Sequence, residues 1–332
     1  MSKFNSLKNN NFKFKELFLS IFLIFTSTTF SMLIAEFVIR NKNANMDNYD
    51  VEMWKYAKKL KKKSENKILD FEHKKDNKAT LQNVDIRLNK YGLRGDKINH
   101  NINNKVRRIL FLGGSITLGW GVREEQILSS RIKQMFNNEG IKVEVYNGGV
   151  GNYNTERYVT RYFKELEVIK PTDIVVNYFL RDAENLKPTK PNFLLKNSQL
   201  ALTFWSAYNK FFNKFGPNTL ENHYKLVYDS GNPGYKKMKI KLKELSDYAN
   251  KNNINIYLLM VPDISNLKEY KFKYIHEDMK EIAKKFDYIF IDSLPKFLGK
   301  NSSDLFAMPG DPHPNAEGHK YMADSLFPIL NE

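Results

Sequence analysis

Short apolar runs alternating with helical patterns constrain this chain more than any other feature. Arg107–Gly113, Val143–Tyr146, Asp173–Phe179, Ile254–Val261 and Tyr288–Asp292 are strand-length and rich in Val, Ile, Leu, Tyr and Phe. Glu124–Asn138, Thr155–Ile169, Lys236–Lys251, Tyr274–Phe286 and Asn315–Leu330 place apolar residues at helical spacing between and after them. A strand that is apolar throughout is covered on both faces. Strands joined through helices run parallel, with right-handed crossovers. The pattern predicts an α/β fold, a three-layer α/β/α sandwich around a five-stranded parallel sheet.

The N-terminus departs from this rhythm. Leu17–Ile34 reads LFLSIFLIFTSTTFSMLI, without a charge, and Ala35, Phe37, Val38 and Ile39 carry the apolar character past Glu36. A helix of that length nearly crosses a bilayer core of about 30 Å. Lys3, Lys8, Lys13 and Lys15 precede it, and Arg40 and Lys42 follow, a weak bias that leaves the N-terminus in the cytoplasm. A cleaved signal peptide competes with this reading, but the run is long for one and no small-x-small site follows it. The expected organisation is a basic tail over residues 1–16 and a single-pass transmembrane anchor over 17–39. A polar spacer over 40–83, partly docked, and an extracytoplasmic catalytic domain over 84–332 follow. Met53, Trp54, Tyr56, Ala57 and Leu60 predict one short amphipathic helix inside the spacer. Residues 186–235, rich in Asn, Pro and aromatics, predict a helical insertion, either a lid or substrate wall or an ordinary packed excursion.

The formal charge of +16 would suit an anionic partner, yet the aromatics fall in apolar runs rather than on a basic stripe, so no nucleic-acid partner is expected. The chain has no cysteine, which excludes disulfides, thiolate metal sites and a cysteine nucleophile.

The strongest chemical signal is Gly113-Gly114-Ser115-Ile116-Thr117-Leu118-Gly119-Trp120-Gly121, directly after one apolar strand and before a helical pattern. Ligands of open parallel sheets bind beyond the carboxyl ends of the strands, so the Ser115 hydroxyl is placed for chemistry. Other glycine-rich readings fail on spacing. A P-loop needs Lys after its last glycine, where Trp120 stands, and neither G-x-G-x-x-G nor G-x-S-x-G is present. The second signal is Asp311-Pro312-His313-Pro314-Asn315, about two hundred residues later. A serine nucleophile needs an imidazole base, and the base needs a carboxylate to fix its tautomer. Asp311 and His313, on one proline-braced loop, supply both. His319 falls on the following helix as a packing or capping residue. It stands six residues from His313, a poor spacing for shared ligation, so no metal and no cofactor are expected.

Together these segments resemble the SGNH/GDSL hydrolase superfamily, with the likeness running from about Asn89 to the C-terminus. The resemblance implies an SGNH/flavodoxin-like sandwich and catalysis by Ser115, Asp311 and His313. Gly113-Gly114-Ser115 stands for the family's Gly-Asp-Ser block, with Gly114 in place of aspartate. Asn147-Gly148-Gly149-Val150-Gly151-Asn152-Tyr153-Asn154-Thr155 stands for the second block, whose second glycine gives an oxyanion-hole amide. That position falls on Asn152, with Gly151 the neighbouring alternative. In the third block Arg181 replaces the usual asparagine, before Asp182, either as a donor to the oxyanion or as a partner of Asp182 or Glu184. The implied oxyanion hole is therefore the Ser115 amide, Asn152 or Gly151, and Arg181.

The Asp-x-His spacing and the lead-in Asn89–Gly95 are similar to membrane-anchored extracytoplasmic proteins that O-acetylate bacterial polysaccharides. The resemblance implies a serine esterase or O-acyltransferase acting on an acylated carbohydrate or lipid. A transferase would need a multi-span membrane partner to deliver the acyl donor. A lipase or lysophospholipase, and a non-catalytic glycan-binding protein on a decayed fold, are the alternatives.

Overall fold

The computed structural model describes residues 2–95, 97–99, 106–188, 192–214 and 220–332. Helix α1 (Ser2–Lys42) leads to α2 (Tyr49–Leu60), then to β1 (Lys61–Lys63) paired with β2 (Phe71–His73), and β3 (Asn77–Leu81) paired with β4 (Val84–Leu88). The sheet begins at β5 (Arg107–Gly113). It continues through α3 (Ser115–Leu118), α4 (Leu128–Asn138), β6 (Val143–Asn147), α5 (Thr155–Arg161) and β7 (Asp173–Phe179). Three helices follow: α6 (Phe193–Asn197), α7 (Gln199–Lys214) and α8 (Leu220–Val227). Then come α9 (Pro233–Lys251), β8 (Asn255–Val261), α10 (Lys273–Lys285), β9 (Ile289–Asp292) and α11 (Leu294–Phe297). The chain closes with β10 (Phe306–Met308), β11 (Asp311–Pro314) and α12 (Ala316–Leu330).

The expected five strands form one parallel sheet in the order β6-β5-β7-β8-β9. Alternate side chains of β5 point to opposite faces, and both faces are apolar. Leu110 and Leu112 join α5, α9 and α10 in one core through Tyr158, Met238, Leu242 and Ile275. Ile109 and Phe111 join α4, α11 and α12 in the other through Ile132, Phe297, Met322 and Leu326. The result is the expected three-layer α/β/α sandwich. The expected helix Thr155–Ile169 is α-helical only to Arg161. It widens into a π-type turn over Tyr162–Leu166 and tightens over Glu167–Ile169.

The polar spacer over residues 40–83, expected to dock in part, packs onto the sandwich. Tyr56 and Leu60 of α2 pack with Ala79, Leu81, Ile86 and Leu88 of the β3–β4 hairpin and with Leu118 and Trp120 beyond β5, forming a third small core. The physical reason lies in the sparse apolar residues of the segment. They alternate along β3 and β4 and share one face of α2, so they close a core between polar outer faces.

The α1 span Phe14–Asn45 is long and apolar enough to cross a membrane, and its large apolar side chains are exposed. Its far end is tied to the insertion. Glu36 accepts hydrogen bonds from the Ser198 hydroxyl (2.8 Å) and from the Gln199 and Leu200 amides (3.0 and 2.8 Å). Within 186–235 the described residues form α6, α7 and α8. Residues of this stretch near α8, including His223 and Tyr224, reach the cleft described below.

Candidate active site

Strand order reverses between β5 and β7, and that crevice is where open α/β sheets bind ligands. Ser115 stands there, one residue past Gly114 at the end of β5 and first in α3, so its amide has no acceptor within the helix. Arg94, in the lead-in segment, holds the turn that follows. Its guanidinium donates to the carbonyls of Leu118, Gly119 and Val122 at 2.7–2.8 Å. The structural role expected of that segment is therefore specific.

The second signal arrives from the other end of the chain. β11 pairs with β10, setting Asp311 opposite Met308, and Asn315 caps α12 by accepting from the Glu317 and Gly318 amides. Between these fixed points His313 Nε2 lies 2.7 Å from Ser115 Oγ, and His313 Nδ1 lies 2.5 Å from Asp311 Oδ1. A carboxylate only accepts, so Nδ1 carries the proton and Nε2 is free to accept from the serine hydroxyl. The three residues named from sequence are thus brought together. Asp311 is 1% exposed, so a buried carboxylate faces the imidazole out of reach of bulk water.

The oxyanion donors are resolved unequally. Asn152 has φ of +63°, the left-handed conformation that asparagine tolerates, and it lines the cleft with Ser115. Gly151, the neighbouring alternative, has its amide already engaged. Its amide donates to the Tyr56 hydroxyl at 2.9 Å, and a Cβ there would lie 2.7 Å from the Tyr56 ring. Gly149 has a similar packing role, since its added Cβ would meet the Leu118 amide at 2.2 Å. Arg181 lines the same cleft, but its guanidinium pairs with Glu184 at 3.3 Å and its side chain is half exposed. The ion-pair alternative is the one observed. The cause is local: Glu184 stands three residues on, at the end of the same tight turn. Asp182 accepts from the Phe179 amide, and burial pushes its carboxyl well above the usual range. His319 accepts the Leu128 amide at 3.0 Å, and burial pulls its pKa down to about 3. It is the packing and capping residue expected.

Two groups from the folded spacer reach the triad. Gln82 Nε2 donates to Asp311 Oδ2 at 3.2 Å, occupying the oxygen that His313 leaves free. The Tyr49 ring stacks on His313, with centroids 5.9 Å apart and planes 30° from parallel. No local pattern in the sequence flags either, because each partner is more than two hundred residues away. Asn177, at the carboxyl end of β7, also lines the cleft and was not singled out. Its amide donates to Thr117 Oγ1 at 3.1 Å.

The cleft over Ser115 has a volume of about 760 Å³. No cluster of three or more His, Asp or Glu side chains able to hold a metal occurs among the described residues.

Fold and site together define an α/β sandwich with a Ser–His–Asp constellation at the carboxyl end of its sheet. No family model matches the chain, and no curated protein matches it. Solved structures do resemble it. A catalytic mutant of an acetylxylan esterase from Geobacillus stearothermophilus is 16% identical, with 68% of this chain and 94% of that chain covered at a TM-score of 0.46. A protein from Desulfitobacterium hafniense described as lipolytic and of the G-D-S-L family is 15% identical, with 67% and 99% covered at 0.43. A psychrotrophic esterase from Pseudoalteromonas sp. is 18% identical, with 68% and 100% covered at 0.42.

Proposed function

We propose that this chain is a serine esterase or O-acyltransferase that works through an acyl-serine intermediate. The observation that carries the reading is the unbroken relay from Ser115 Oγ through His313 to Asp311, at 2.7 and 2.5 Å. His313 Nε2 takes the Ser115 proton as Oγ attacks the ester carbonyl. The same proton passes to the departing alcohol as the tetrahedral intermediate collapses. Asp311 holds the imidazole tautomer and balances the imidazolium formed between these steps. The amides of Ser115 and Asn152 receive the oxyanion, and such donors each lower the barrier by roughly 3–4 kcal/mol. Water as second nucleophile gives hydrolysis, and a sugar hydroxyl gives transfer. An assembled relay disfavours a decayed, purely glycan-binding role.

The substrate we assign is an acyl ester on a cell-envelope or exported polysaccharide. Asn152, Asn154, Arg157, Arg181 and Glu184 line the cleft together with Tyr49 and Tyr224. A long acyl chain would strip water from the exposed Asn152 and Arg181 side chains, whereas a hydroxylated substrate can hydrogen-bond to them. The apolar helix α1 is read as a single-pass anchor that keeps this domain on the extracytoplasmic membrane face. A transfer reaction would then draw its acyl group from a multi-span membrane partner.

Release of p-nitrophenol from p-nitrophenyl acetate by the full chain in detergent tests the serine, with Ser115→Ala beside it. Equal rates would overturn the reading. Weighing the products formed with acetylated and unacetylated oligosaccharides separates hydrolysis from transfer.

A further inference from the structure

The peptide that carries the Asn152 amide is gripped on its far side by a buried lysine. Lys61 Nζ donates to the Gly151 carbonyl at 2.8 Å. That carbonyl and the Asn152 N–H belong to one peptide unit, planar and trans, so they point in opposite directions. A donor fixed on the carbonyl therefore fixes where the N–H aims. Tyr56 completes the grip one bond earlier by accepting the Gly151 amide at 2.9 Å. Its own hydroxyl lies 2.6 Å from His73 Nε2, while His73 Nδ1 lies 2.8 Å from the Gly92 carbonyl. A carbonyl only accepts, so Nδ1 is protonated and Nε2 accepts from Tyr56. The chain of donors runs from Gly151 through Tyr56 and His73 to Gly92 without a gap.

Lys61 is 7% exposed, and burial holds its amine well below the usual lysine range. Its Nζ lies over the rings of Phe71 and Tyr56, at 3.9 and 4.4 Å from their centroids. Burying an amine is costly, and a contact that only filled space would be cheaper as methionine. A donor held on the carbonyl polarises the whole peptide and makes its N–H a stronger donor.

We propose that Lys61 and Tyr56 are positioning residues of the oxyanion hole: they lock and polarise the Gly151–Asn152 peptide so that the Asn152 amide faces the acyl-serine intermediate. The inference rests on the acyl-serine reading above. It makes the segment between the apolar helix and the sheet a working part of the site.

The test compares Tyr56→Phe and Lys61→Met in the full chain with Ile86→Val, which loosens the same small core without touching Gly151. Ester hydrolysis and inhibition by phenylboronic acid, which forms a tetrahedral adduct on a serine nucleophile, are both measured. Each positioning variant is expected to lower kcat by about 10- to 100-fold with KM within about twofold, and to weaken boronate binding by a similar factor. Ile86→Val is expected to keep wild-type kcat and boronate affinity. Wild-type kcat in both Tyr56→Phe and Lys61→Met overturns the inference alone, as does an equal loss in Ile86→Val. A wild-type chain that neither turns over ester nor binds boronate overturns the underlying reading, and the inference with it.

Discussion

Gln82 donates its side-chain amide to Asp311 across 3.2 Å, although 229 positions separate the two residues. The donor comes from the β3–β4 turn, and the acceptor is the carboxylate that orients His313. The Gln82 backbone amide is itself held by Glu52 of α2 at 2.8 Å. A hydrogen bond to a buried charge is worth about 1.5–3 kcal/mol. Gln82→Leu should therefore lower kcat by about 10-fold or more, with KM little changed. Steady-state kinetics on p-nitrophenyl acetate checks this, and an unchanged kcat would remove Gln82 from the site.

The oxyanion loop separates a backbone role from a side-chain role. Asn152→Gly keeps both the amide and the left-handed conformation, so kcat should stay within about threefold. Gly151→Ala drives a Cβ toward the Tyr56 ring, at 2.7 Å, and should cost about 10-fold or more in kcat through a displaced loop. Kinetics of the two variants side by side gives the order. A damaged Asn152→Gly with an intact Gly151→Ala would reverse the assignment.

Arg181 is paired with Glu184 rather than aimed at the oxyanion. Removing a true oxyanion-hole donor costs about 100- to 1,000-fold in kcat. Arg181→Gln should cost less than about fivefold in kcat, with any larger effect appearing in KM for a bulky substrate. A hundredfold fall in kcat at constant KM would restore Arg181 to the hole.

Two buried histidines make the fold acid-sensitive. Burial pulls the pKa of both His73 and His319 down to about 3, against 6.5 when solvated. Between those values the unfolded chain binds protons that the folded chain does not. Stability is thus full above pH 6.5 and is lost as the pH falls toward 3. At pH 4.5 each histidine should cost about 3 kcal/mol. Thermal melts from pH 7.5 to 4.5 should show a falling Tm, with a shallower fall in His319→Gln. A flat Tm over that range would contradict the neutral, buried assignment.

The large apolar side chains of α1 from Phe14 to Val38 are exposed, which suits lipid rather than water. The full chain should sediment with membranes and resist extraction by alkaline carbonate. Recovery in the soluble fraction at full length would contradict the anchor.

Much of this was legible in the sequence because it is local. β5 through β9 announce themselves as apolar runs. Ser115 follows one of them through two glycines, and Asp311 and His313 share one proline-braced loop. The oxyanion hole was legible only by resemblance, and the choice between Gly151 and Asn152 needed Tyr56 in place. The contacts made by the segment over 40–83 were not legible, for a physical reason. Lys61, His73 and Gln82 are polar residues in a lysine-rich stretch, and only their burial against Gly151, Gly92 and Asp311 distinguishes them from solvated surface. Burial of that kind is set by contacts across long separations, which periodicity does not record.

The most direct test of the central claim is the covalent intermediate itself. The full chain, mixed with p-nitrophenyl acetate and quenched in acid within one turnover, is digested and weighed. The account predicts one acetyl group on the peptide containing Ser115, and none in Ser115→Ala. Acetyl absent from that peptide while p-nitrophenol is released, or found equally in Ser115→Ala, would contradict it.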